Sequence, residues 1–334
     1  MNTTSPPLET IDTRGDLKLN VGTAQKDGNK KPRCFLVCSR TLSRVSPVFD
    51  RMVNGSFVEA KPNNPKIWTI DLPDDKPLAL ELFLNIAHGH LSKAPPTLSL
   101  DDLYDLTTLT HFYVATKILV PWIRPWIKAL HDATSGPNVA AVPKLIWIGW
   151  ELGDRVMFEA AVRRVVMEEP GSTFAEGSSL YRLPMSLDII ERVCTVRDET
   201  IDALLEVIRS FIELLTVVDE RPRWCRHATF MGPHRCESMI LGSMTFCLTR
   251  AGLWPLPEDA RDVKRSALGL YEAFSILVIH DIGKPAEGDG DHKRCNPREY
   301  LMDEMREVFA RMSSPLQEAD MERLAAQEKR LYML

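Results

Sequence analysis

Between Asp16 and Val21 the chain alternates strictly, with apolar Leu17, Leu19 and Val21 separated by Lys18 and Asn20. A period of two belongs to a half-buried strand, so the folded part must open with sheet. Gly22 ends this strand. After the turn-rich, basic TAQKDGNKKP a second strand is predicted from Arg33 to Cys38, with Cys34, Leu36 and Cys38 on one face and Phe35 and Val37 on the other. Together they predict a hairpin. The period then lengthens: Ser39 and Ser46 offer N-caps to two short helices, the second opened by Pro47 and carrying Val48, Phe49 and Met52. IWTIDL, residues 67–72, returns to strand. Leu78, Leu82, Phe83 and Ile86 then mark a helix after PDD, and Ser99 caps another with Leu103, Leu106, Leu109 and Tyr113, which Pro121 is expected to stop. A short sheet carrying helices is an α+β arrangement.

The chain is long enough for two domains, at 334 residues and 44% hydrophobic content. With 41 basic against 46 acidic residues and a net charge of −5, no basic face advertises nucleic acid or an anionic membrane. No apolar run approaches the roughly 20 residues that cross a bilayer, and MNTTSPPLETIDTRGD lacks the apolar stretch of a signal peptide. These features predict a soluble intracellular protein, cytoplasmic or nuclear. Seven cysteines, odd in number and scattered, read as reduced thiols or metal ligands. Residues 1–13, polar and Pro-containing, are expected to form a flexible tail.

PWIRPWIKALHDATSGPNVA, with two prolines flanking two tryptophans and then a Gly-Pro break, predicts a linker over 131–143. Beyond it, residues 144–168 are too densely apolar for one exposed face, and Gly153-Asp154 permits a turn between two buried helices. Residues 187–218 supply one or two more amphipathic helices. The end, 298–334, predicts a charged surface helix broken near Pro315. Residues 144–334 therefore predict an all-helical domain.

The opening strand DLKLNVG, the strand-helix-helix stretch FLVCSRTLSRVSPVFDRMVNGSFVEA, the strand-helix WTIDLPDDKPLALELFLNIAHGH and the closing LDDLYDLTTLTHFYVATKIL together resemble a BTB/POZ domain, in the form common in fungal proteins, over residues 14–130. The resemblance continues more weakly into LIWIGWELGDRVMFEAAVRRVV, where the family carries a helical extension. It implies a protein-interaction module that binds other proteins through this domain, not an enzyme; a substrate adaptor for a cullin-type ubiquitin ligase is a narrower form. It also implies that Asp16 and Arg40 line a charged pocket near a dimer surface, although each also reads as a solvated strand-end charge. His88, His90 and His111 read as ordinary hydrogen-bonded histidines. Only a polar tail with Leu8 and Ile11 precedes Asp16, so the helix and strand that animal members exchange in an intertwined dimer are not evident. Monomer, homo-oligomer and hetero-complex all stay open.

A competing motif is HDIGK, with His280 and Asp281, which matches the metal-binding helix of HD-type phosphohydrolases. That chemistry needs a histidine on an earlier helix and a distant aspartate to hold the divalent ion. The helix expected over 266–277 contains no histidine, His227 and His234 lie in a Pro/Gly/Cys-rich stretch, and little chain follows for the remaining catalytic helices. The string alone does not make an enzyme. Nearby, His292 and Cys295 form an H-x2-C pair, and Cys225 and Cys236 lie in RWCRHATFMGPHRCESMI. Thiolate and imidazole are ligands that a structural zinc takes, with His227, His234 and Cys247 in reserve. Such a clip joins two remote segments. Free thiols and surface histidines are the other reading, since no C-x2-C pair is present.

Overall fold

A computed structural model describes residues 7–23, 31–55, 60, 68–134, 142–217, 219–227, 232–280, 282 and 291–332. The chain divides into two compact units, residues 1–158 with 317–334, and residues 159–316.

The first unit is built on a four-stranded sheet in the order β1-β3-β2-β4, with β1 at Leu8–Thr10, β2 at Leu17–Val21, β3 at Arg33–Val37 and β4 at Thr69–Leu72. β2 and β3 are antiparallel with Leu19 opposite Phe35, and β4 runs parallel to β2 with Ile70 opposite Leu19. This register puts Leu17, Leu19, Val21, Phe35, Val37, Ile70 and Leu72 on one face, and all are buried. The predicted hairpin is present. Residues 8–10, expected in a flexible tail, instead pair parallel with β3, and Ile11 behind them is buried. Three residues are too few to show a period, but they satisfy the outer edge of β3 with backbone bonds.

Helices α1 (Ser39–Val45), α2 (Pro47–Asn54), α3 (Pro77–Ala87) and α4 (Leu100–Phe112) follow the expected order. Ser46 caps α2, its Oγ accepting from Phe49 N at 3.1 Å, and Ser99 caps α4 by accepting from Asp102 N at the same distance. Ser39 does not cap α1. Phe49, Phe83 and Tyr113 form a stacked aromatic group at the centre of this unit, with Phe49 and Tyr113 ring centroids 4.3 Å apart.

Residues 120–134, which the sequence assigns to the end of the first domain and the start of the linker with no helix of their own, form helix α5 (Val120–Thr134). Pro121 opens this helix instead of stopping the one before it, because a first-turn position has no intrahelical N–H bond to lose. Pro125 lies one turn further in, and Leu119, Ile123, Trp126 and Leu130 keep a buried stripe through both prolines. The indole of Trp126 donates to Pro95 O at 2.9 Å. Residues 135–141 of the expected linker lie outside the described residues. The buried helical pair is α6 (Pro143–Leu152) and α7 (Arg155–Glu168), and the division between the units falls inside α7. Gly153 turns between them at φ 71°, where a Cβ would be strained.

In the second unit α8 (Leu187–Thr216) is one continuous helix whose stripe from Ile189 to Leu215 is buried. Around it lie α9 (Arg235–Arg250), α10 (Ala267–Ser275) and α11 (Arg298–Ala310), with Met244, Leu270 and Met305 fully buried in a shared core. Arg197, 2% exposed, donates to the carbonyls of Ala260 and Val263 and so ties the 260–263 turn to α8. The break at Pro315 separates α11 from α12 (Glu318–Tyr332), and α12 belongs to the first unit, where Gln327 Nε2 donates to Glu151 O at 2.8 Å. Among the described residues no helix is long and apolar enough to cross a membrane.

One histidine ties the sheet to the helices of the first unit. His88 Nδ1 lies 2.8 Å from Leu84 O, and its Nε2 accepts from Cys38 N at 3.1 Å, an arrangement only the neutral Nδ1–H ring satisfies. Burial holds its pKa below the ordinary value near 6.5, against a smaller opposing effect of the Leu84 bond. The unfolded chain therefore takes up the proton more readily, so this contribution is complete above about pH 6.5 and is lost as pH falls below it. A fall in melting temperature between pH 7.5 and 5.5 is expected, and it should be smaller in His88→Gln. Identical pH slopes in the two proteins would place the acid sensitivity elsewhere.

Candidate metal centre

Four ligand-type side chains converge in the second unit. Cys225 lies in the turn between α8 and α9, Cys236 in the first turn of α9, and His292 and Cys295 at the two ends of a single 3-10 turn before α11. In a 3-10 turn residues i and i+3 eclipse, so the H-x2-C spacing sends both side chains the same way. Asp291 starts this turn by accepting from Lys293 N at 3.1 Å.

The ligand atoms of Cys225, Cys236, His292 and Cys295 all lie within 4.8 Å of one another, and every one of the four residues is buried. Cys225 Sγ is 3.4 Å from His292 Nδ1 and 3.8 Å from Cys295 Sγ, while Cys295 Sγ is 4.0 Å from Nδ1. A tetrahedron with Zn–S near 2.3 Å and Zn–N near 2.0–2.1 Å has edges of about 3.8 Å between sulfurs and about 3.6 Å from sulfur to nitrogen. The three separations therefore match the spacing a tetrahedral ion requires. The cysteines are free thiols, since a disulfide would bring two sulfurs to about 2.05 Å. Burial, and then the neighbouring thiols, push Cys236 well above the usual thiol range; burial likewise raises Cys295. Three buried thiols together favour a cation that lets them ionise.

Other groups hold these ligands in place. Glu237, 3% exposed, accepts through Oε1 from Trp224 N at 2.6 Å and Cys225 N at 3.2 Å, fixing the loop that carries Cys225 against α9. The indole of Trp224 donates to Cys295 O at 2.6 Å and joins the two ligand segments directly. Asn296 Nδ2 donates to Ile279 O at 3.0 Å and anchors the chain after the 3-10 turn. Sequence reasoning marked neither Glu237 nor Trp224; their nearness to Cys236 and Cys225 in the chain was the signal available. Such supporting bonds orient ligands and tune their basicity.

The reserve ligands are not among the four that converge. His227 meets His292 edge-on with ring centroids 5.9 Å apart, His234 pairs with Glu237 at 3.5 Å, and Cys247 Sγ points to Val278 O at 3.4 Å. His280 is exposed, follows α10 in non-helical chain, and its N–H donates to Ser243 Oγ at 2.9 Å. Asp281 lies outside the described residues. Asp16 accepts from Ser39 N and Ser39 Oγ, both at 2.8 Å, and so holds the first turn of α1 in place of a local cap. Arg40, the next residue, is exposed and makes no ion pair among the described residues. No family model, curated protein or solved structure matches this chain. Its functional reading rests on its own residues.

Proposed function

We propose that this protein is a non-catalytic protein-interaction module, a BTB/POZ-type unit followed by a helical unit clipped by one structural zinc ion. The interaction reading draws its support from the order of elements in the first unit: a hairpin, a helical pair, a strand returning parallel to β2, then two helices. Other proteins are its partners, and an adaptor role for a cullin-type ubiquitin ligase is the narrower form of the reading. The zinc reading draws its support from the buried set of three thiols and one imidazole, all within 4.8 Å of one another, with the Cys225, His292 and Cys295 separations matching a tetrahedron. Four protein ligands fill the coordination sphere, so the ion stabilises and leaves no position for water. Affinity purification of the full chain from its native cell, with mass spectrometry and light scattering on the product, tests the interaction reading. A stoichiometric protein partner, or a defined homo-oligomer, is expected. A monomer recovered with only chaperones speaks against it.

A further inference from the structure

A separate cavity of about 240 Å³ lies in the first unit, at the carboxy-terminal ends of α4 and α6 and beside α12. Glu151, 6% exposed, lines it with both carboxylate oxygens engaged: Thr116 Oγ1 donates to Oε1 at 2.5 Å, and His111 Nδ1 lies 2.7 Å from Oε2. A carboxylate only accepts, so Nδ1–H donates and Nε2 is the acceptor of that tautomer. His111 Nε2 has no partner among the described residues. Arg323 and Arg330, about two turns apart on α12, also line the cavity, and neither makes an ion pair among the described residues. The guanidinium carbon of Arg323 lies 4.7 Å from the centre of the Trp150 ring, a contact that holds the group at the cavity and consumes none of its N–H donors. Val114, half-exposed on the cavity wall, has φ 51°. A β-branched residue is strained there, and the turn is closed by Ala115 N donating to Thr110 O at 2.7 Å. Strain of this kind gathers where a site demands a particular backbone.

We propose that this cavity binds a carboxylate that carries a neighbouring N–H or O–H donor. Two guanidinium groups against one carboxylate, each of whose oxygens already accepts a bond, leave the cavity positively charged, and the fork of an arginine matches a carboxylate in two bonds. Glu151 disfavours a second negative charge close by, which selects a monoanion over a phosphate dianion. His111 Nε2 accepts from the adjacent donor. Two sources share this chemistry: the free carboxy terminus of a peptide, whose last amide N–H is the donor, and a small 2-hydroxy acid. The proposal is independent of both the zinc and the interaction readings.

Ligand-observed NMR on the full-length protein distinguishes the sources, with acetyl-tetra-alanine as acid and as amide, lactate, acetate and inorganic phosphate at matched ionic strength. The acid peptide should bind at least about tenfold tighter than its amide, the scale of a lost charge-assisted hydrogen bond. Lactate should bind more tightly than acetate. A peptide stronger than lactate assigns the site to protein tails, and the reverse to small hydroxy acids. Arg323→Gln with Arg330→Gln should abolish binding of either while leaving the circular-dichroism spectrum of the folded protein unchanged, since both side chains are exposed and only the Arg323–Trp150 contact is lost. No saturable carboxylate binding, equal binding of acid and amide, phosphate as tight as the carboxylates, or unchanged binding in the double variant overturns the proposal.

Discussion

Protein purified without added metal should carry close to one zinc ion per chain by elemental analysis, and Cys236→Ser should lose most of it. Structural zinc in small peptides binds with on the order of 10–16 kcal/mol, comparable to the whole net stability of a domain, about 5–15 kcal/mol. A zinc ion bound there would not be the sole support of the second unit. Leu204, Ile208, Met244, Leu270 and Met305 are fully buried without it. Its loss should therefore free the Trp224–Cys225 turn, the start of α9 and the 3-10 turn His292–Cys295, while most helix content survives. Even a third of the binding energy, about 3–5 kcal/mol, corresponds to a fall of about 10 °C in melting temperature for a unit of this size. Hydrogen exchange should rise over 224–237 and 291–297 on chelation. Cys194→Ser is the control, because that thiol lies near Tyr181 OH and Phe174 O and should leave zinc content unchanged.

Acid should reproduce the effect of chelation. The thiols must ionise to hold the ion, and burial and mutual crowding raise Cys236 and Cys295, so protons compete with zinc as pH falls. Zinc should leave progressively on acidification from pH 7 to 5, and Cys236→Ser should lack that step. A well-folded, metal-free protein whose exchange pattern ignores chelators returns these four residues to ordinary buried thiols and a buried imidazole.

How far the sequence could be read follows from how local each feature is. Strands β2 and β3 were legible because their alternation is complete within a short window, and the Ser46 and Ser99 caps because a cap needs only its own helix. β1 was not legible, since three residues acquire strand structure only from the edge of β3. α5 was hidden by its prolines, although the Leu119, Ile123, Trp126 and Leu130 stripe was there to be found. The return of α12 to the first unit depends on tertiary fits, such as the approach of Glu328 N to 2.5 Å from a Cβ placed at Gly153. The four metal-type ligands could be named as two pairs, but their convergence depends on Glu237 and Trp224, a polar and an amphipathic residue whose burial no local pattern announces.

Phe49→Ala should destabilise the first unit by about 3–5 kcal/mol, a fall of roughly 6–20 °C in its melting temperature. The side chain is fully buried and stacks on Tyr113 with an interplanar angle of 9°, with Phe83 at 6.1 Å on the same group. Its truncation removes apolar burial, leaves a void the rings cannot close, and forfeits stacking worth about 0.5–1.5 kcal/mol beyond area. The surroundings are fixed by bonds that resist collapse into the space: Ser46 Oγ donates to Tyr113 O at 2.6 Å, and Tyr113 OH donates to Asp75 Oδ2 at 2.5 Å. Because Ser46 caps α2 and holds the chain after α4, the loss should spread from one ring to two helices. Phe112→Ala removes the same atoms from a side chain that is 65% exposed and meets Tyr113 only edge-on, with ring centroids 5.1 Å apart, and should cost no more than about 1 kcal/mol. Equilibrium denaturation of the two variants decides the matter: similar, small effects in both would mean that the aromatic stack is not the centre of this core, and that its helices are held by contacts other than the ones that align Phe49, Phe83 and Tyr113.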